Sequence, residues 1–164
     1  MKDWNFKNSE VGFTLVEIMI VVAIIGLLAA IAIPNLLRAR LNASDNAMRK
    51  ELRTFSSGNE SYRAAQNPPS YSPDLATLTT SVPPYLDITW TNNPRHGFDL
   101  LYAVSAAPST NFSLVASPQI PGGTGLNTFC MDQSGVISGS TNDGTANVPS
   151  GSGNGCTGGV VSSS

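Results

Sequence analysis

The sequence has little of what catalytic and metal sites need. Its 164 residues include one histidine, His96, and two cysteines, Cys130 and Cys156, which lie far from any CxxC or Cys/His spacing. Zinc binding and dithiol redox chemistry therefore find no support. The net charge of −2 leaves no basic excess that would favour nucleic-acid binding. We predict no enzyme active site, no cofactor and no specific nucleic-acid site.

The few groups that remain have ordinary interpretations. His96 falls in a Pro- and Gly-containing loop, where we expect it to be solvated or to make a structural contact. Asp87, Asp99 and Asp132 are candidates for a calcium site, but their spacing matches no EF-hand loop. No metal site is predicted.

The two cysteines favour a disulfide. A bond between Cys130 and Cys156 would contribute roughly 3.5 kcal/mol on the chain-entropy model. It requires an oxidising compartment, so we expect this part of the chain to lie outside the cytoplasm.

A long apolar run is present near the amino terminus. Sixteen consecutive residues, Ile18 to Ile33, carry no polar side chain, and Glu17 directly precedes them. As a helix, Phe13 to Ile33 would be about 31 Å long, which is close to the hydrocarbon thickness of a bilayer. A cleaved secretory signal is the alternative, but its apolar stretch is shorter and ends at the cleavage site. We predict a membrane span.

The segment that begins at Gly12, "GFTLVEIMIVVAIIGLLAAIAIP", resembles the class III signal of type IV prepilins and type II secretion pseudopilins. The resemblance implies that a membrane prepilin peptidase cuts after Gly12 on the cytoplasmic side and methylates the new amino terminus at Phe13. It also implies that the apolar helix stays in the mature protein.

Glu17 has two interpretations. Cleavage would create an ammonium on Phe13, and Glu17 lies one helical turn further on the same face. An acid inside a membrane span is usually functional and has a partner nearby. The resemblance implies that the partner is the amino terminus of an adjacent subunit, so that Glu17 docks an incoming copy. The alternative is that Glu17 caps its own helix, where the dipole also favours a carboxylate.

Two residues weaken the apolar helix. Pro34 removes a backbone donor and predicts a kink near Ala30. Gly26 costs about 1 kcal/mol relative to alanine. The resemblance implies that the region between them melts locally on assembly, whereas the alternative is ordinary tolerance of Gly and Pro in membrane helices.

The resemblance implies a single-pass protein of the bacterial inner membrane with a cytoplasmic amino terminus and a periplasmic head. The charges conflict with this orientation, because the two lysines of the leader are offset by acids while basic residues follow the span. We follow the motif and the cysteines. The basic residues either solvate a free helix face or contact anionic lipid and acidic surfaces of other subunits; they are Arg38, Arg40, Arg49, Lys50 and Arg53.

Apolar side chains continue beyond the span at helical spacing. We predict one helix from Phe13 to about Gln66, whose first half spans the membrane and protrudes and whose second half packs on a sheet. A break at residues 56–58 is the alternative. The predicted stripe is interrupted by Ser44, Glu51 and Asn59 and contains Leu37, Leu41, Met48, Leu52, Phe55 and Tyr62.

Residues 67–164 are predicted to form a small head and a carboxyl-terminal segment. We predict a short helix at 73–79, strands at 98–104, 112–117 and 127–131, a turn at 132–135 and a short fourth strand after it. Of the 26 residues in 139–164, 19 are Gly, Ser, Thr or Asn, so we predict a flexible end tied by Cys156.

The predicted fold class is α+β, with a long amino-terminal helix packed on an antiparallel sheet of three or four strands. The predicted segments are a leader (1–12), a transmembrane or filament-core helix (13–34), its amphipathic continuation (35–66), the head (67–138) and the Gly/Ser/Asn-rich end (139–164).

The resemblance implies a pilus subunit that assembles with copies of itself and other pilins through a prepilin peptidase, an inner-membrane platform and an ATPase motor. The surface filament would serve adhesion, motility or DNA uptake. A secretion pseudopilin in a periplasmic piston and a membrane-anchored binding domain that never polymerises are the alternatives.

Overall fold

The computed structural model describes residues 12–141, 150–153, 155–157 and 160–161. The chain divides into two units, residues 1–38 and residues 39–164, and we call the second unit the head. Helix α1 (Leu15–Ala65) is continuous. The long helix predicted from Phe13 to Gln66 is therefore confirmed to within two residues at either end, and the alternative break at 56–58 is wrong.

The packing of Gly58 explains why the alternative, a break at 56–58, does not occur. It is buried in α1, and a Cβ at this position would lie 2.7 Å from Leu86 Cδ2 and 3.0 Å from the carbonyl oxygen of Tyr85. The glycine lets a neighbouring loop approach the helix closely. This packing offsets the roughly 1 kcal/mol that glycine costs inside a helix.

Two short helices follow α1. Helix α2 (Leu75–Thr80) is capped by Asp74, whose Oδ1 accepts a hydrogen bond from Thr77 N at 2.6 Å. It lies close to the predicted 73–79. A 3-10 helix at Ile88–Thr91 is capped in the same manner by Asp87.

An antiparallel sheet forms the rest of the head. The strand order is β1-β2-β3-β4-β7, and β5 and β6 form a separate two-stranded hairpin. The predicted strands and turn are confirmed. The strands are β1 (Phe98–Val104), β2 (Phe112–Pro118), β3 (Asn127–Asp132), β4 (Ile137–Thr141), β5 (Ser150–Ser152), β6 (Gly155–Thr157) and β7 (Val160–Val161).

Within the predicted flexible end at 139–164, the described residues include strands; the rest of that segment lies outside the described residues, and its flexibility stays a prediction. Strand β4 continues to Thr141, and β7 pairs with it. A strand ladder is made by backbone groups, so Gly and Ser can take part without contributing an apolar core. The sheet edge at β4 thus supplies a constraint in addition to the predicted disulfide.

The core lies between α1 and the inner face of the sheet. Met48, Leu52 and Phe55 of α1 are fully buried in the same cluster as Phe112 and Phe129 of the sheet. The α+β class and the packing of the helix on the sheet are thus confirmed. Leu41 and Tyr62 also belong to the buried side, but Leu37, predicted as part of the stripe, is 50% exposed.

Candidate functional site

Thr14 and Glu17 close the amino-terminal end of α1. Glu17 Oε2 accepts hydrogen bonds from Thr14 N at 2.9 Å and from Thr14 Oγ1 at 2.7 Å, while Thr14 Oγ1 accepts one from Glu17 N at 3.2 Å. This reciprocal arrangement is a capping box. The sequence-based prediction does not include Thr14, although T-x-x-E before an apolar run is the sequence signal of such a box.

The geometry matches the alternative role of Glu17, that of capping its own helix. The capping box uses only one oxygen of the Glu17 carboxylate, Oε2. Within the described part of the chain, Glu17 Oε1 has no hydrogen-bond partner. Gly12 and Phe13 adjoin Glu17 around an open depression, and Phe13 is 84% exposed. An acceptor is therefore open beside the predicted cleavage position, and the docking role stays a prediction.

The helix that follows is apolar on all sides. No described side chain from Phe13 to Arg40 is buried, and the mean hydropathy reaches 2.9 in an 18-residue window. Among the described residues, this is the one helix long and apolar enough to cross a membrane. A helix that is apolar all round needs lipid or other protein around it.

Gly26 and Pro34 both lie inside this apolar part of α1. A Cβ at Gly26 would meet nothing within 4 Å, so no packing contact within the chain requires glycine there. The kink near Ala30 and the local melting stay predictions.

The basic residues after the span do not share one environment. Four are exposed: Arg38, Arg40, Lys50 and Arg53. Arg49 instead packs on the sheet side, with its guanidinium carbon 4.8 Å from the centroid of the Phe129 ring. One of the five therefore stabilises the head, and four are available to solvent or to a partner.

A charged cluster ties α1 to the loop before β1. Glu51 Oε2 lies 2.9 Å from an Arg95 amino group, and Glu51 Oε1 lies 3.2 Å from His96 Nε2. Arg95 also stacks on the Trp90 ring, 4.5 Å from its centroid. His96 is predicted to be solvated or to make a structural contact; it makes a contact, and Glu51 is the partner that sequence reasoning did not supply.

The disulfide between Cys130 and Cys156 is confirmed and joins β3 to β6. Asp132 supports the same junction by accepting a hydrogen bond from Cys156 N at 3.1 Å. Burial alone would raise the pKa of Asp132, but hydrogen bonds from Ser134 and the Cys156 amide outweigh it and lower the pKa. The carboxylate thus stays ionised at the point where the hairpin is attached.

The three aspartates considered for calcium have separate roles. Asp87 caps the 3-10 helix, Asp99 accepts a hydrogen bond from Gln119, and Asp132 holds the turn after β3. In the residues that the structure describes, no group of three or more His, Cys, Asp or Glu side chains is placed to hold a metal ion.

Comparison with known proteins gives a family match and several similar pilus proteins. Residues 10–33 match the prokaryotic N-terminal methylation motif. The chain is 45% identical over 72 residues to the type IV wide pilus major component PilA4 of Thermus thermophilus, which covers 44% of this chain and 53% of that protein. It is 40% identical over 62 residues to the type IV major pilin PilA of Myxococcus xanthus, covering 38% and 28% of the two chains.

A shorter match is closer in sequence. Over 29 residues the chain is 75% identical to the type IV major fimbrial protein FimA of Dichelobacter nodosus, covering 18% of this chain and 19% of that protein. The chain thus matches about half or less of the length of these relatives. No solved structure matches the chain significantly.

These relatives are pilus components by name, which agrees with the prediction that the chain is not an enzyme. The methylation motif coincides with the capped start and apolar length of α1. The chain is thus similar to type IV pilins over the methylation motif and over part of its length.

Proposed function

We propose that this chain is a structural subunit of a type IV pilus and polymerises through α1. The observation that carries the proposal is an exposed, all-round apolar helix that begins with a capping box inside the methylation motif. Such a helix exposes too much apolar surface to stay in water, and packing against identical helices covers it. The similarity to named major pilins supports a pilus rather than a periplasmic piston.

We infer that the chain is processed before assembly. Prepilin peptidase removes residues 1–12 by cutting after Gly12, and Phe13 becomes the N-methylated first residue. Both residues that flank this bond are exposed, which supports access of a peptidase. The leader up to residue 11 lies outside the described residues.

In the filament, Glu17 docks the incoming subunit. Thr14 holds Glu17 Oε2, which orients the carboxylate, and Oε1 receives the Phe13 ammonium of the adjacent subunit. An ionised acid in a membrane span costs about 2.5 to 3.5 kcal/mol. Assembly compensates this cost, so a subunit in register is favoured over one out of register.

Before assembly the subunit is a single-pass inner-membrane protein with a cytoplasmic amino terminus and a periplasmic head. An inner-membrane platform and an ATPase motor move it into an extracellular pilus that serves adhesion, motility or DNA uptake. Long surface fibres that contain this chain would exclude both the secretion piston and the non-polymerising anchored domain.

Two substitutions separate docking from capping. Glu17→Val and Thr14→Val both remove the capping box, which costs about 0.5 to 2 kcal/mol of helix stability. Only Glu17→Val removes the docking carboxylate. We expect Glu17→Val to abolish fibres while the precursor still inserts into the membrane, and Thr14→Val to reduce fibre yield only partly.

Electron microscopy of sheared fibres and immunoblots of membranes measure these outcomes. Equal fibre yields from the two variants would refute docking and leave capping as the role of Glu17. Mass spectrometry of the native protein tests processing. We expect a mature chain that begins at N-methylated Phe13, and any other first residue, or an unmethylated Phe13, contradicts the proposal.

A further inference from the structure

A small cavity opens where α1 meets two loops of the head. Its volume is about 200 Å³, and all of its lining residues belong to the head. At roughly 30 Å³ per water-sized group, it has room for a phosphate with its ester oxygens. The lining residues are Arg40, Leu41, Ser44, His96, Gly97, Gly123 and Thr124.

Arg40 gives the cavity an uncompensated positive charge. Its guanidinium is exposed and forms no ion pair with any residue in the described ranges. The nearby carboxylate of Glu51 is already paired with Arg95 at 2.9 Å and with His96 at 3.2 Å. A guanidinium presents a fork of donors that suits phosphate oxygens, so the cavity fits an anion.

Internal contacts fix the walls of the cavity. Ser44 Oγ donates a hydrogen bond to the backbone carbonyl of His96 at 3.1 Å, which attaches the loop to α1. The backbone amide of Thr124 donates a hydrogen bond to the carbonyl of Ile120 at 2.9 Å, which fixes the second loop at Thr124. Gly97 keeps its side of the cavity open, since a Cβ there would lie 2.8 Å from Thr124 Cβ.

The position of Arg40 along α1 identifies the source of the anion. Arg40 follows Leu37, the last exposed large apolar residue of the helix, by three residues. It also follows Ile33, the end of the predicted span, by seven residues, so it lies about 10 Å beyond the span along the helix. Headgroups occupy roughly 5 to 8 Å on each side of the hydrocarbon core. Side chains of a helix lean toward its amino terminus, and the long arginine side chain extends along apolar surface, so the Arg40 guanidinium reaches the depth of lipid phosphates when residues 13–33 span a bilayer.

We propose that this cavity binds the phosphate of a membrane phospholipid before the subunit joins a filament. The proposal rests on the membrane-anchored precursor of the proposed function. It accounts for Arg40, one of the basic residues on the side of the span where the positive-inside rule does not expect them, because phospholipid phosphates occupy both leaflets. Assembly then has to release this lipid.

Native mass spectrometry of the full-length chain in detergent tests the proposal. We expect adducts with phosphatidylglycerol and none with diacylglycerol, which has the same acyl chains but lacks the phosphate. Arg40→Gln should weaken phosphatidylglycerol binding about fivefold. Arg53→Gln is the matched control, because Arg53 is also an exposed base of α1 but does not line the cavity.

Equal weakening by Arg40→Gln and Arg53→Gln, or unchanged binding in Arg40→Gln, would overturn the site. Inorganic phosphate that binds the chain as tightly as the lipid would overturn the lipid as its source. Matching urea midpoints establish that both variants fold. The two proposals fail separately: lipid adducts without fibres contradict the pilus, and fibres with no effect of Arg40→Gln on lipid binding contradict the site.

Discussion

Asn59 provides a sharp test of how α1 is joined to the head. It is fully buried within α1, although it is polar. Its Oδ1 accepts a hydrogen bond from the backbone amide of Ser72 at 3.2 Å, and its Nδ2 donates to the Tyr102 hydroxyl at 3.4 Å. Ser72 is fully buried too, so water cannot replace Asn59 as its partner.

The expected cost follows from these contacts. Asn59→Leu keeps the same number of side-chain heavy atoms but leaves the Ser72 amide unsatisfied, which costs about 1 to 3 kcal/mol. The contact with Tyr102 is long, so its loss adds little. Asn59→Ala also leaves a small cavity, and we expect about 2 to 4 kcal/mol in total.

Urea unfolding of the full chain in detergent measures the free energy of unfolding, with the fluorescence of Trp90, which is 1% exposed, as the probe. Ser57→Ala is the control on the exposed side of the same turn and should change stability by less than about 0.5 kcal/mol. Hydrogen exchange at the Ser72 amide reports the local effect. An Asn59→Leu variant as stable as the native chain, with unchanged Ser72 protection, would refute this reasoning.

Two further predictions concern the sheet. Burial raises the pKa of Tyr102 from 10.0 to about 12, so its neutral form stabilises the fold fully below pH 10 and this contribution is lost as the pH rises toward 12. At about 1.4 kcal/mol per pKa unit, reduced by solvent screening, the loss is roughly 1 to 2 kcal/mol. Urea midpoints between pH 8 and 12 should fall less steeply for Tyr102→Phe, and equal slopes would contradict the assignment. Gly153→Ala places a Cβ in steric conflict with the Val104 carbonyl oxygen. We expect this variant to be destabilised by about 1 to 3 kcal/mol and to show faster hydrogen exchange at the Cys156 amide. Unchanged exchange at this amide would show that the hairpin does not pack on Val104.

The polar residues that interrupt the apolar stripe show where sequence reasoning stops. Asn59 and Glu51 are interruptions in the pattern, yet both join α1 to the head through partners in other elements. Asp45 is absent from the sequence-based predictions, although it is 5% exposed and accepts a hydrogen bond from the Leu126 amide at 3.0 Å. A buried polar group is tolerated only with its partner, and these partners lie 13 to 81 residues away in the chain.

The start of α1 shows the reverse case. The capping box is local, because Thr14 and Glu17 are three residues apart, and their spacing alone is enough to predict it. The sequence-based prediction includes Glu17 as a cap but not the residue that completes the box. Thr14 therefore had a readable local signal, whereas the contacts of Asn59 and Asp45 have none.

Local sequence patterns were enough to predict the apolar span, the methylation motif, the length of α1 and the main strands. Each of these depends on neighbouring residues, whose hydropathy and periodicity add up locally. Packing between distant parts of the chain brings a loop against Gly58, buries Asn59 and pairs Gly- and Ser-rich segments near the carboxyl end as strands. These outcomes depend on backbone and side-chain partners that become neighbours only when distant parts of the chain pack together.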